Sequence, residues 1–394
     1  MSWIKAEIAP GVTLVRVLNT TFKRFENFWP IPKGTSYNFY VVKGSEGVAL
    51  IDGTDERVSD VFWEALETVV DPSEITLVVS QHTEPDHSGT LAEVMRRAPR
   101  ARLVGTRQAI QIGTSLSNYP ADRSRPVADG ERISLGDRTL RFVSAPFVHW
   151  PDTMMTLLEE EGILFTCDLF GSHGASRAVY YDEDPDGFEL RDYYSSILMV
   201  YSAMVAKAVA KAREISPRLI APGHGALHRD VGSILKTYER WSSWTPLKRA
   251  LIVLGSQYER TQRLAEAAAE GLRGKGFEVV IMDTAEADYD DLLSETLESA
   301  ALIIASSTHN AKPFLGVTFY LDLLSEYKPK NKVMALLGTY GWGGGALRVV
   351  REVIEELELP IVGELAVKGT PGDEDLRAAR ELGEKLAEEA LKLL

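Results

Sequence analysis

Five apolar runs, at 250–254, 279–282, 301–305, 333–337 and 361–367, alternate with helical stretches through the C-terminal part of the chain. Parallel strands need long connections, and a helix is the usual one, so this rhythm predicts five parallel strands with crossover helices on the sheet faces. The Glu/Leu/Ala-rich end, 372–394, reads as a terminal amphipathic helix. Earlier in the chain the texture differs. Strand-like segments at 13–17, 37–42, 48–52, 77–80, 103–105, 140–143, 154–158 and 163–166 mix with helical stretches at 58–70 and 192–214, the pattern of a sheet sandwich flanked by helices. The change falls at Trp241-Ser242-Ser243-Trp244-Thr245-Pro246, where the tryptophan pair is read as packing a domain junction. With 394 residues and 45% hydrophobic content the chain is too long for one ordinary core, so the reading is α/β in two domains, 1–246 and 249–394.

Composition removes several classes of function. Cys167 is the only cysteine, which excludes an internal disulfide, a cysteine zinc cluster or a cysteine-held iron–sulfur centre; it is read as a small buried residue. Any metal must therefore sit on nitrogen and oxygen. A net charge of −14 argues against general binding of nucleic acid, which needs a basic face. No apolar run approaches the ~20 residues that span a bilayer, and the first residues lack a basic segment leading into an apolar one. The expectation is a cytoplasmic protein with no membrane or nucleic-acid partner.

One stretch concentrates metal-binding chemistry. Gln81-His82-Thr83-Glu84-Pro85-Asp86-His87 follows the apolar run 75–80, at the carboxyl end of a strand, where open α/β architectures place ligands. His82, Glu84 and Asp86 alternate with other residues, so an extended loop can aim all three at one point. His149, Asp168 and His224 each follow a strand-like run as well. A lone histidine is a ligand in roughly one case in ten, but three histidines and three carboxylates at strand ends of one domain suffice for two metal ions with one carboxylate bridging.

The C-terminal domain carries a second constellation. Its first strand runs into Gly255-Ser256-Gln257-Tyr258-Glu259-Arg260-Thr261 and then a helix, a turn whose backbone N–H groups suit a phosphate. Its third strand ends in Ser307-Thr308-His309-Asn310 and its fourth in Thr339-Tyr340-Gly341-Trp342-Gly343-Gly344. One phosphate loop and two loops able to flank a flat ring match the flavodoxin arrangement for FMN. The bland alternative, that all three are ordinary Gly/Ser turns, holds in roughly one case in twenty.

Taken together, His82-x-Glu84-x-Asp86-His87, His149, Asp168 and Gly223-His224-Gly225 resemble the metallo-β-lactamase fold as carried by flavodiiron proteins (A-type flavoproteins), whose fourth-strand flavin loop reads like 339–344. The resemblance spans nearly the whole chain. It implies an N-terminal αββα metallo-β-lactamase-like sandwich and a C-terminal five-stranded flavodoxin-like domain, with FMN and two non-haem iron ions as cofactors. His82, Glu84 and His149 would hold one iron, Asp86 and His224 the other, and Asp168 would bridge, leaving His87 outside the ligand set. Hydrolases of this fold usually have histidine where Glu84 stands and use the histidine after the aspartate as a ligand, so a zinc hydrolase should ligate His87. Carboxylate in place of imidazole suits iron or manganese better than zinc. Trp150 and Tyr37 would line the pocket. Glu26 departs from a family position where histidine is common, and His173 and His228 lie in turns near ligands without an essential role.

The implied activity is reduction of O2 to water, of NO to N2O, or both, with electrons from FMN. No Gly-x-Gly-x-x-Gly follows a strand, so a rubredoxin or similar small carrier is the implied donor, docking on Arg260, Arg263, Lys312, Arg348 and Arg351 around the flavin. The resemblance further implies a head-to-tail homodimer, with a dimer of dimers as a further level. The competing reading is a metal-dependent hydrolase whose flavodoxin-like module carries no flavin.

Overall fold

The computed structural model describes residues 1–394, which fall into two compact units, Met1–Glu239 and Arg240–Leu394. The first unit is built on two sheets. One has seven strands in the order β1 (Ser2–Ala9), β2 (Val12–Asn19), β5 (Thr35–Lys43), β6 (Val48–Ile51), β7 (Leu77–Val79), β8 (Arg102–Gly105) and β9 (Ser124–Pro126), with a small hairpin β3 (Arg24–Phe25) and β4 (Trp29–Pro30) set between β2 and β5 in the chain. The other has five, β10 (Arg132–Ser134), β11 (Thr139–Ser144), β12 (Met154–Leu158), β13 (Ile163–Cys167) and β14 (Leu219–Pro222), antiparallel except for the β13–β14 pair.

The period-two alternation of strands assigns the two faces. Val12, Leu14, Tyr40 and Val42 pack between the sheets against Phe142, Met154, Phe165 and Ala221. Their neighbours Val15, Val17, Phe39 and Val41 face outward onto Phe62, Leu66, Val94 and Met95, carried by the helices Ser59–Leu66 and Leu91–Arg97. Helix Ser202–Ile215 covers the second sheet, its Lys211 Nζ donating to Ser144 O of β11 at 2.8 Å. The result is helix, sheet, sheet, helix.

Local expectations differ from the structure in several places, the short strands β3, β4, β9 and β10 among them. β1 went unread because only Ile4 in it is buried, which is how a solvated edge strand looks. The helix read at 58–70 ends at Leu66. The stretch read as one helix at 192–214 is instead a turn, Leu190–Tyr193, a wide π-type turn, Tyr194–Leu198, a tight turn, Met199–Tyr201, and only then a regular helix. Contrary to the expectation that no stretch is long and apolar enough, Leu190–Ile215 could cross a membrane by length and composition alone, and 56% of its most apolar window is buried inside the protein.

The second unit has one parallel sheet in the order β16 (Glu278–Asp283), β15 (Leu247–Gly255), β17 (Ser299–Ser307), β18 (Val333–Tyr340) and β19 (Ile361–Lys368). Ile252 and Leu254 pack on helices Arg260–Gly274 and Asp373–Ala390; Leu251 and Val253 face helices Leu315–Tyr327 and Ala346–Glu356. A sheet buried on both faces explains why its strands read as continuous apolar runs. The chain order reverses direction between β15 and β17, and there two strand ends diverge to leave a crevice. Trp241 and Trp244 are buried within this unit: Trp241 Nε1 donates to Glu298 at 2.7 Å, and the Lys332 ammonium lies 5.8 Å from the Trp244 ring.

Candidate metal centre and cofactor cleft

Seven donor side chains converge at the strand ends of the first unit. His82 and Glu84 lie on the loop after β7, Asp86 and His87 on the single helical turn Pro85–Ser88, His149 on the turn after β11, Asp168 just past β13 and His224 just past β14. Within the first group, Glu84 Oε2 is 3.3 Å from His82 Nε2 and 2.9 Å from His149 Nε2, and Asp168 Oδ2 is 3.3 Å from both imidazoles. In the second, Asp168 Oδ1 is 2.9 Å from His87 Nε2 and 3.4 Å from His224 Nε2, which lies 3.2 Å from Asp86 Oδ2. The two oxygens of Asp168 thus face different groups, as a bridging carboxylate must.

His87 was expected outside the ligand set and stands inside the second group, 3.1 Å from His224 Nε2. The reason is local. Pro85 starts a helical turn, so the extended alternation holds for His82 and Glu84 only, and consecutive residues Asp86 and His87 both reach inward. Gly223 is required by the same contact: a Cβ there would lie 2.6 Å from the His87 ring.

Donor chemistry fits two cations. Both buried Asp86 oxygens and Asp168 Oδ2 face only imidazoles in ion-pair contact and make no well-formed hydrogen bond. Burial works to raise the Asp168 carboxyl, but the charge of His87 and bonds to His149 and His224 hold it well below the usual range. Burial works equally to lower His82 and His224, yet Asp152 and Glu84 push the first up to about 10, and Asp168 and Asp86 do the same for the second. A cluster that binds protons this tightly is one where metal ions would take their place.

Two supporting residues, Asp152 and Tyr193, escaped the sequence reading. Asp152 Oδ1 lies 3.4 Å from His82 Nδ1 and its other oxygen accepts from Thr83 at 2.6 Å, a carboxylate behind a metal-facing histidine. Its place three residues after His149 was the available signal. Tyr193 donates to Asp168 Oδ1 at 3.0 Å, from the last residue before the wide turn, and nothing in its local sequence marks it. His173 is buried between Phe25 and Tyr193 with neither ring nitrogen bonded, and burial pushes it down to about 3; His228 bonds Phe170 O at 2.9 Å.

Above the cluster, Phe25, Glu26, Ile31, Thr35, Tyr37, Glu84 and Asp86 help line a cavity of about 170 Å³. Tyr37 packs on His224 with rings 5.7 Å apart. Burial, then the charge of Glu84, pushes Glu26 up to about 7. Trp150 is not in this lining: it stands edge-on to His82 at 5.1 Å, as a wall to the first group.

In the second unit a cavity of about 510 Å³ lies at the diverging strand ends, lined by Gln257, Tyr258, Arg260, Ser307, Thr308, His309, Asn310 and the whole of 339–344. Tyr258 and Trp342 are 89% and 96% exposed, the state of aromatic rings placed to flank a planar ligand. Tyr258 and Glu259 both adopt left-handed backbone before helix Arg260–Gly274, a turn that directs N–H groups outward, and Glu259 faces solvent. Ser256 and Thr261 do not line the cavity. Thr261 is buried beneath it, 2.7 Å from the Thr339 hydroxyl, while the Ser256 hydroxyl is without a partner. The cleft fits FMN in shape and in its offered groups. Of the expected basic ring, Arg348 pairs with Glu352 at 2.7 Å and Arg351 with Glu364 at 2.6 Å, and Arg260 alone lines the cleft.

Residues 35–225 match the ODP family beta lactamase and residues 252–383 the flavodoxin family. The chain is 33% identical to a nitric oxide reductase of Moorella thermoacetica, over 90% of this chain and 91% of that protein, and 33% identical to a type A flavoprotein of Rhodobacter capsulatus, over 97% and 90%. Among solved structures it superimposes on rubredoxin oxygen:oxidoreductase of Desulfovibrio gigas with a TM-score of 0.94 at 25% identity, covering 99% of both chains. A flavodiiron protein of Giardia intestinalis gives 0.92 at 27%, over 99% and 97%.

Proposed function

This chain belongs to the flavodiiron, or type A flavoprotein, family, and from that premise we propose that it is an oxidoreductase that reduces O2 to water, NO to N2O, or both. The observation that carries the reading is Asp168, with one oxygen turned to His82 and His149 and the other to His87 and His224. His82, Glu84 and His149 would hold one iron, Asp86 and His224 with His87 the other, and the cleft of the second unit would hold FMN. When bound, the iron pair and the flavin supply the electrons and open coordination positions that reduction of either gas needs.

The residues of the chain do the rest. Glu84 adds anionic charge that favours a metal able to change valence over zinc. Asp152 orients His82, and Tyr193 fixes Asp168. A cavity of about 170 Å³ admits a diatomic gas and a few waters, where a hydrolysed substrate needs a broader bed against the metals. Glu26, with its carboxyl near 7, can hold a proton at the wall of that cavity. Inward-pointing His87 is a feature of the hydrolase reading, but that reading leaves Glu84 and the flavin-shaped cleft without a purpose, and the relatives named above do not favour it.

The donor is a small acidic electron carrier of the rubredoxin kind, and the working form is a head-to-tail homodimer in the cytoplasm. Metal and flavin analysis of the purified protein, with O2 and NO consumption measured side by side under a reducing system, tests the proposal. Bound flavin, about two irons per chain and turnover of at least one gas are expected. A colourless, zinc-loaded protein would end it.

A further inference from the structure

His224 depends on residues far from it in sequence. It sits just past the end of β14, in Pro222-Gly223-His224-Gly225, where the strand gives way to a turn whose backbone carbonyls have to find donors. Three inward positions of β5, two residues apart, supply the turn's partners: Asn38 and Tyr40 donate to its carbonyls, and Ser36 accepts from its N–H groups. Ser36 O accepts from His224 Nδ1 at 2.7 Å, and Ser36 Oγ accepts from Gly225 N at 3.0 Å. Asn38 donates through Nδ2 to Pro222 O at 2.8 Å and to Gly225 O at 2.9 Å, and through its backbone N to Gly223 O at 2.7 Å. Tyr40 donates to Pro222 O at 2.6 Å. The strand period of two puts all three on one face, over the turn.

Asn38 is held in turn by Arg16, its direct cross-strand partner on β2. The Arg16 Nε donates to Asn38 Oδ1 at 2.8 Å, which fixes which end of the amide faces the turn. Arg16 is fully buried and its other nitrogens bond the carbonyls of Ala178 and Val179, so the guanidinium is anchored whatever the turn does.

We propose that Asn38, clamped by Arg16, is a positioning residue for the second metal site: by gripping both ends of the 222–225 turn it sets the direction of His224 Nε2. This rests on the reading that two metals bind. Removing the grip loosens one ligand of the second ion and none of the first, so the loss is confined to one site.

The test is iron stoichiometry and chelator-driven iron release in the Asn38→Asp variant, with the thermal midpoint measured alongside. The substitution keeps shape and the Arg16 partner but replaces two donated bonds with carboxylate facing carbonyls. A ligand-supporting bond is worth about 10–100-fold in metal affinity, so the expected result is one iron lost that much more readily, the other unchanged, and an electron paramagnetic signature changed from a coupled pair to an isolated ion. Asn38→Ser, which keeps the backbone bond to Gly223 O but removes the amide bonds to Pro222 O and Gly225 O, gives a shift in the same direction and decides the matter if Asn38→Asp fails to fold. Parallel loss of both irons, or retention of both at the wild-type rate, overturns the proposal. A wild-type protein that binds no iron overturns instead the reading beneath it.

Discussion

At the level of single residues, the metal cluster stores protons that a metal must expel. His82 and His224 have pKa values pushed up to about 10 in the metal-free protein, against 6.5 for ordinary histidine. Their pairing with carboxylates therefore stabilises the metal-free fold fully below pH 6.5, and that contribution is lost as pH rises towards 10. Ligation needs the neutral rings. His149 is likewise raised well above the ordinary histidine range, so adding iron(II) anaerobically to the metal-free protein at pH 8 should release about three protons per chain or more, falling to none well above pH 10, as read by a pH-stat. Release that does not change with starting pH would mean the rings are already neutral and the carboxylates solvated. Of the residues in this cluster, His82, Glu84, Asp86, His149, Asp168 and His224 are visible in sequence as donor types after strand-like runs. His87 is visible as a residue, and only the helical turn begun by Pro85 reveals its direction.

Among elements, the second unit depends on a close helix crossing. Helices Arg260–Gly274 and Asp373–Ala390 meet at Gly271 and Gly383, where an added Cβ would lie 2.2 Å from Arg380 O and 2.1 Å from Ala268 O. Alanine is the better helix former by about 1 kcal/mol, but at this crossing it has to push two backbones apart. Gly383→Ala should therefore lower stability by about 1–3 kcal/mol in urea unfolding, opposite in sign to what propensity alone gives. A second element-level effect belongs to Lys332 after helix Leu315–Tyr327. It is buried, donates to Leu297 O at 2.9 Å, and burial pushes its pKa from 10.5 down to about 7. Between pH 7 and 10.5 the unfolded chain holds a proton that the folded one does not, so stability rises with pH across that window. Lys332→Met should flatten that rise, measured as unfolding midpoints at pH 7 and 10. The strand–helix order of this unit was plain from its apolar runs, whereas the glycine crossing was not: a glycine inside a helical pattern reads as a weakness until the partner helix is in place.

For the whole molecule, the charge distribution bears on how electrons arrive. With an acidic carrier as the proposed donor, a chain of net charge −14 repels it at long range, and Arg260, Arg263 and Lys312 are the proposed source of local attraction. Reversing all three to glutamate should slow reduction of the bound flavin by an acidic donor about 10-fold at low ionic strength, with the difference shrinking as salt is added, in stopped-flow measurements. Equal rates would place the docking surface elsewhere. What the sequence determined by itself was everything carried by residue type and short-range period: two α/β domains of different texture, six nitrogen and oxygen donors following strand-like runs, and three loops suited to a flavin. Tertiary structure decided the rest. It turned the two oxygens of Asp168 towards different groups, brought Asp152 behind His82 and Tyr193 onto Asp168, and laid the Ser36–Asn38–Tyr40 face of β5 over the His224 turn. Those pairings join residues up to 188 positions apart, and their geometry is set by the packing of one sheet on another, which no local pattern encodes.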